Sequence, residues 1–277
     1  APRPLGRRAA RLGPGPPLNP LPRYPVVVSR SSCRLSIIVP AYNEERYLQR
    51  CLVSLRRQSQ SDFEVIVVDN NSCDDTVSIA ERYADTVLRE TEQGYHHAAR
   101  RGIAESQGIL VAVCDADTRY PSDWVATIYA QFRPEDVGIY GSVNFHDGHW
   151  LYRAAVRFFC FTVFMRQMRM LGIDVCNGFN FVFRKSVYDE VGGYDANLYD
   201  KVGLDIHLGR RLKRRGPLRF VPRLQACTSM RRISDHGLWH FVSVNIAMYW
   251  AFLRGRETRT SYTHYNAPPT RGKRKRR

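Results

Sequence analysis

Apolar positions along the middle of the chain change repeatedly between two spacings. Leu35-Ser36-Ile37-Ile38-Val39 is a short apolar run closed by Pro40; Phe63 to Val68, Thr86-Val87-Leu88 and Ile109 to Val113 are three more. Runs of this length, rich in β-branched residues and bounded by turn formers, predict buried strands. Between them the spacing is helical. Glu44 to Ser59 sets Leu48, Cys51, Leu52 and Leu55 on one face, Asp74-Asp75 open a helix to about Tyr83, and Ala98 to Ser106 forms another that Gly108 would end. Further on, Pro121 or Ser122 caps a helix reaching about Phe132, and Val137 to Val143 reads as a strand. Strands alternating with helices at this pitch predict an α/β fold, a mostly parallel sheet flanked by helices.

In such sheets ligands bind beyond the carboxyl ends of the strands. Tyr42-Asn43, Asp69 and the pair Asp115/Asp117 all fall just past predicted strand ends. Two carboxylates one residue apart cannot both enter a core unpaired, because burying a lone charge is costly. A divalent cation bound to diphosphate oxygens is a natural partner, since hard cations take oxygen ligands.

Several motifs follow in order. Val39-Pro40-Ala41-Tyr42-Asn43-Glu44-Glu45 leaves the first strand, and Val67-Val68-Asp69-Asn70-Asn71-Ser72 the second, with Asp74 and Thr76 beyond it. Gly94, Ala99-Arg100-Arg101-Gly102 and Gly108 precede Cys114-Asp115-Ala116-Asp117. Asn177-Gly178, Arg184, Val191-Gly192-Gly193-Tyr194-Asp195 and finally Asp205, Leu208, Arg211-Leu212 and Gly216 complete the series. In this order they resemble the family-2 glycosyltransferases of the GT-A fold, over roughly Leu35 to Gly216.

The resemblance implies a metal-dependent, inverting transfer of one sugar from a nucleoside-diphosphate sugar, a UDP-sugar being favoured slightly over a GDP-sugar. Asp69 would accept a hydrogen bond from the base, Pro40 and Tyr42 would shape its pocket, and Glu44 belongs to the same nucleotide-binding set. Asp115 would reach the ribose or the metal side, and Asp117 would ligate Mn²⁺ or Mg²⁺. Arg100, or its neighbour Arg101, would reach phosphate. Asp205 matches the general base, which deprotonates the acceptor hydroxyl; Asp200 is the nearest substitute. Asn177 and Gly178 would lie on the acceptor and sugar side, and Gly178 with Gly192-Gly193 suggests tight backbone approach there. One departure stands out: the family usually has Glu before the base, and this chain has Leu204. The Gln/Arg-x-x-Arg-Trp motif of processive synthases does not follow Asp205, which predicts single-sugar transfer.

Composition sets the domain limits. The chain has 277 residues, 44% of them apolar, enough for one domain with a large core and an appendage. The net charge of +16 is concentrated at the ends: residues 1–34 hold seven Arg and eight Pro without an acid, and residues 266–277 hold six Lys or Arg without an acid. These divide the chain into a disordered basic segment over 1–34, a catalytic domain over 35–220, a helical C-terminal extension over 221–265 and a basic tail over 266–277. Residues 1–34 lack the apolar stretch of a secretory signal. Seven Cys, without a Cys-x-x-Cys pair, read as free thiols rather than a disulfide framework or zinc site. The expected place is therefore the cytoplasm.

The stretch Phe158 to Met165 is too short to span a bilayer, and Arg153 and Arg157 would lie opposite Arg166 and Arg169 on a continuous helix, so a break or a buried helix is needed. Gly237 to Leu253 is free of Asp, Glu, Lys and Arg and is read as a helix packed on the domain or lying at a membrane surface. Together with the basic tail it suggests attachment to anionic lipid at the inner face of a membrane, with a glycan or polyprenyl-lipid acceptor. His96 and His97 are read as loop or surface residues. Nucleic acid is not expected as a partner, because the excess charge lies in the tails and no basic motif interleaved with aromatics occurs in the body. A family member that binds nucleotide sugar without turnover is the alternative reading; a nucleotidyltransferase is disfavoured because no glycine-rich phosphate loop follows the first strand.

Overall fold

The computed structural model describes residues 33–198 and 203–254. The expectations for residues 1–32, for the basic tail and for Asp200 lie outside them.

Seven strands form one sheet: β1 (Leu35–Ala41), β2 (Phe63–Asp69), β3 (Thr86–Arg89), β4 (Leu110–Val113), β5 (Gly138–Phe145), β6 (Phe181–Arg184) and β7 (Leu218–Thr228). Their spatial order is β3-β2-β1-β4-β6-β5-β7. The strands β3, β2, β1 and β4 run parallel; β6 is antiparallel to both neighbours, and β7 runs parallel to β5. The sheet is mixed but mostly parallel. Helices α1 (Leu48–Arg56), α2 (Thr76–Tyr83), α3 (Tyr95–Glu105) and α4 (Trp124–Gln131) connect the first five strands. Then follow α5 (Trp150–Val156), a π-helical segment (Arg157–Phe164), α6 (Met165–Met170), α7 (Lys185–Glu190), α8 (Leu204–Lys213), α9 (Arg231–His236) and α10 (Leu238–Leu253).

The central strands bury both faces. Every residue of β1 is buried, and alternate side chains enter two cores. Leu35, Ile37 and Val39 join Leu48, Leu52 and Leu55 of α1, while Ile38 joins Ala98, Ala99 and Ile103 of α3. This is why the sequence reads as continuous apolar runs rather than as alternation.

Four local expectations need correction. Pro40 does not end β1; it pairs in register with Val68. The β4 pairing stops at Ile38↔Val113, and Ile38 O accepts from Cys114 on that side, so strand alternation turns the missing N–H of Pro40 to the side where β4 has ended. Gly108 is not a helix terminator: α3 ends at Glu105, and a Cβ on Gly108 would stand 2.5 Å from the Ser36 backbone N, so the glycine permits close passage beside β1. The expected division at residue 220 falls inside β7, which remains paired with β5 to Thr228. His96 is buried rather than on the surface.

The expected break between the arginines near Phe158 takes the form of the π-helical segment, whose wider turns change the rotational phase between α5 and α6. Val156, Met165 and Met168 face inward. Cys33, Cys51, Cys73, Cys114, Cys176 and Cys227 are free thiols. No described helix is long and apolar enough to cross a membrane.

Candidate active site

The sheet order reverses between β1 and β4, since β2 lies on one side of β1 and β4 on the other. Crevices at such a point bind ligands in open α/β sheets. The loop after β1 carries Tyr42 to Glu44, the loop after β2 begins at Asp69, and Asp115 and Asp117 follow β4.

The first two loops are stitched together by their polar residues. Asn43 takes a left-handed backbone (φ 53°); its N–H donates to Ser72 Oγ at 3.0 Å, and its Oδ1 accepts from the Cys73 N–H at 2.8 Å. The Glu44 N–H donates to Thr76 Oγ1 at 2.8 Å, and the Glu45 N–H to Asp74 at 3.2 Å. Asn70 clamps the loop before α3, donating to Glu90 O and Glu92 O and accepting from the Gly94 N–H. Asp69 is buried, and its Oδ1 accepts from the Ser72 N–H at 3.1 Å. Tyr42 is half exposed in the loop after β1. Pro40 is buried in β1 beneath it.

Asp117 is 7% exposed and tied to the far end of the sheet. Thr228, the last residue of β7, brings its hydroxyl within 3.4 Å of Asp117 Oδ1, and His146 Nε2 lies 2.9 Å from the Asp117 carbonyl. Arg119 and Cys227 exchange backbone hydrogen bonds, docking the loop on β7. Arg231 Nε meets Asp117 Oδ2 at 2.6 Å. The same guanidinium forms a fork to Glu44, at 2.8 Å to Oε2 and 2.5 Å to Oε1, and lies over the Tyr47 ring. Glu44, expected with the nucleotide, is thus in a bidentate ion pair that joins it to Asp117. Burial raises the Glu44 carboxyl above its ordinary range, and the Arg231 hydrogen bonds and charge pull it back.

Asp205 stands in the first turn of α8, and its Oδ1 accepts from the Tyr194 hydroxyl at 2.8 Å. A Cβ on Gly178 would lie 2.6 Å from Asp205 Oδ2, so Asp205 and the Asn177-Gly178 turn are in contact. Asn177 Nδ2 is buried without a hydrogen-bond partner among the described residues. This turn reaches back toward the Asp117 segment: Tyr120 OH donates to Phe179 O at 2.7 Å, and Trp124 Nε1 donates to Asn180 Oδ1 at 3.0 Å. Leu204 points the other way, 2% exposed in the core.

Arg100 makes no hydrogen bond or ion pair to these acids among the described residues. It lines a cavity of about 520 Å³ with Tyr188, Asp189, Asp195 and Arg211; Tyr194, the partner of Asp205, lines it too, and Gly192 and Gly193 lie on the same wall with φ of 76° and 63°. Arg101 pairs with Glu105 on the helix surface.

The family model of glycosyl transferase family 2 matches residues 36–192. The chain belongs to that family. Relatives include the glycosyltransferase AglE of Haloferax volcanii, 28% identical over 64% of this chain and 60% of its own length. A PGL/p-HBAD biosynthesis glycosyltransferase of Mycobacterium bovis is 28% identical over 58% of this chain and 62% of its own length. The chain thus spans about 60% of the length of these two relatives. Among solved structures, the mannosyltransferase PcManGT of Pyrobaculum calidifontis, in complex with GDP-Man and Mn²⁺, superposes with a TM-score of 0.60 at 20% identity, covering 80% of this chain and 63% of that one. S. aureus TarS 1–349 in complex with UDP-GlcNAc gives 0.52 at 17%, covering 68% and 56%. These likenesses establish the GT-A fold.

Within this family-2 fold, the residues that sequence reading did not single out come from the part of the chain beyond β5. Arg231 and Thr228 meet Asp117, and His146 meets its backbone. Tyr194 stands in the Gly-Gly-Tyr-Asp motif but carries no role there. Only Tyr194 had a local signal, its fixed place in a family motif; Arg231 lies 187 positions from Glu44.

Proposed function

We propose that this chain transfers one sugar from a nucleoside-diphosphate sugar to an acceptor hydroxyl or phosphate, with inversion at the anomeric carbon. One observation carries the reading: acids that follow three separate strands, the buried Asp69 and Asp117 and the partly buried Glu44, lie at the edge where the sheet order reverses. The fold likeness to structures that bind GDP-Man and UDP-GlcNAc supports a nucleotide-sugar donor and leaves the base open.

Asp69 would receive the base, with Tyr42 stacked on it. Asp117 and Asp115 offer the hard oxygen donors that Mn²⁺ or Mg²⁺ prefers. The site fits a cation, because a positive group already sits against Asp117 at 2.6 Å. Among the described residues no cluster of three or more His, Cys, Asp or Glu is arranged to hold a metal alone, so diphosphate oxygens would complete its shell. When bound, such an ion would neutralise charge on the departing nucleoside diphosphate. Asp205 would take the acceptor proton as the acceptor oxygen bonds to the anomeric carbon and the bond to diphosphate breaks. Tyr194 fixes the orientation of that carboxylate, and Asn177 offers a buried donor to a sugar hydroxyl.

The surface supports a lipid-linked acceptor at an anionic membrane. Apart from Tyr42 and Ile109, the exposed large apolar side chains among the described residues lie between 150 and 171 or between 239 and 250, including Phe159 at 64% and Trp239 at 84%. Phe164 packs on Tyr249 with ring centroids 4.7 Å apart, so the two segments adjoin. Aromatic side chains beside Arg153, Arg157 and Arg166 suit a bilayer interface.

The reading is tested with a panel of UDP- and GDP-sugars and Mn²⁺, scoring donor cleavage with and without candidate acceptors. Cleavage of one donor that needs the metal and is lost in Asp117→Ala supports it. Nucleotide binding without turnover on any donor and acceptor pair would favour a non-catalytic member, and absence of nucleotide binding would overturn the assignment.

A further inference from the structure

Arg231 holds both acids that flank the proposed diphosphate position. Its Nε is 2.6 Å from Asp117 Oδ2, and its two terminal nitrogens grip Glu44 at 2.8 and 2.5 Å. The segment bearing it is anchored from behind. Asp147, in the loop after β5, accepts from Ser229 Oγ at 2.5 Å and from the Met230 N–H at 2.7 Å; Met230 is buried, and Ser229 Oγ accepts from the Arg231 N–H. The backbone is therefore fixed while the long side chain extends from it, 28% exposed, toward the acids.

A divalent cation on Asp117 and a guanidinium on Asp117 compete for one carboxylate oxygen, and two positive groups in contact repel. A diphosphate arriving with the metal supplies new acceptor oxygens nearby, and a guanidinium fork matches phosphate geometry well. We infer that Arg231 is an exchangeable counter-ion of this site: it neutralises Asp117 and Glu44, yields Asp117 to the metal, and moves its fork to the diphosphate. This inference rests on the metal-dependent transferase reading and adds an exchange step to it. Because Arg231 opens α9, which leads into α10, the exchange also places donor loading next to the helices that carry the exposed aromatic surface.

The test needs no turnover. Mn²⁺ alone is titrated into the full chain and its Arg231→Gln and Arg231→Lys variants by electron paramagnetic resonance; UDP and GDP are then titrated at saturating Mn²⁺. Removing the competitor is expected to tighten Mn²⁺ binding about tenfold in Arg231→Gln and to weaken nucleotide binding by a similar factor, with Arg231→Lys close to the original for the metal. Should Arg231→Gln misfold, the Arg231 Nε–H resonance of the unaltered protein provides the same decision, with Mg²⁺ as the diamagnetic ion: Mg²⁺ is expected to shift it as the Asp117 contact is lost, and nucleotide to shift it again. Unchanged Mn²⁺ affinity in a folded Arg231→Gln, or an Arg231 Nε–H resonance unaffected by Mg²⁺, overturns the inference while leaving the transferase reading intact. Mn²⁺ binding that Asp117→Asn does not abolish, or no binding in any variant, overturns both.

Discussion

The Tyr194 hydroxyl donates to Asp205 Oδ1 at 2.8 Å, from a ring buried against Tyr188 and His96. The bond leaves Oδ2 beside the glycine at 178, where the acceptor side is expected. Burial pushes the Tyr194 phenol well above its ordinary range, and the Asp205 charge adds to this, so it stays protonated as a donor. A carboxylate held this way is aimed rather than merely present. Asp205→Asn should lower kcat by about 10²–10⁴-fold, the usual contribution of a general base. Tyr194→Phe, which keeps the ring, should lower kcat by a smaller factor with KM for donor unchanged. Steady-state kinetics check both, and a Tyr194→Phe enzyme with full kcat would remove the orienting role.

Restoring the family acid should not help. Leu204 is 2% exposed and packs with the core around α8. Truncating a buried Leu already costs about 2–5 kcal/mol, and a carboxylate there would lack a partner. Leu204→Glu is expected to lower Tm by several degrees and to reduce activity. A gain in kcat at unchanged Tm would mean that the position faces the site.

Gly178→Ala separates positioning from stability. The new methyl would stand 2.6 Å from Asp205 Oδ2, and a carboxylate at the end of a side chain can yield. A displacement of this size costs catalysis on the order of 10²-fold. Thermal melting should shift little while kcat drops; equal losses in both would point to a scaffold role only.

His96 should make stability sensitive to mild acid. Burial, with His97 adding to it, lowers its pKa from 6.5 to about 3. Below 6.5 the unfolded chain takes up a proton that the folded chain refuses, so this contribution to stability falls as pH drops from 6.5 toward 3. Each unit in that window corresponds to about 1.4 kcal/mol. Urea unfolding at pH 7 and pH 5 should give a smaller difference for His96→Phe than for the unaltered protein. An identical pH dependence in the two would contradict a neutral buried imidazole.

Vesicle co-sedimentation tests the aromatic surface. Binding to anionic vesicles at low salt is expected, with a several-fold loss in a Phe159→Ser, Trp239→Ser double variant that retains nucleotide affinity. Binding that depends only on residues 266–277 would assign attachment to the basic tail.

Local physics was legible along the chain wherever one segment carries its own signal. The apolar runs of β1, β2 and β4 mark strands buried on both faces, and the Leu48, Cys51, Leu52 and Leu55 spacing marks the inner side of α1. The polar loops after those strands could be read too, because Asn43, Ser72 and Thr76 bond to neighbouring loops of consecutive strands. Parallel order then dictates that Tyr42, Asp69 and Asp117 share one edge. Chain distance set the limit of that reading. Arg231 meets Glu44 across 187 positions only because β7 adds beside β5 and ends at the Asp117 loop. The direction of Leu204 likewise depends on how α8 packs, and the place of Arg100 on which side of α3 faces the sheet. Period and turn chemistry specify what a segment becomes; the order in which strands join the sheet decides which distant charges meet, and that order is a property of the whole packed chain.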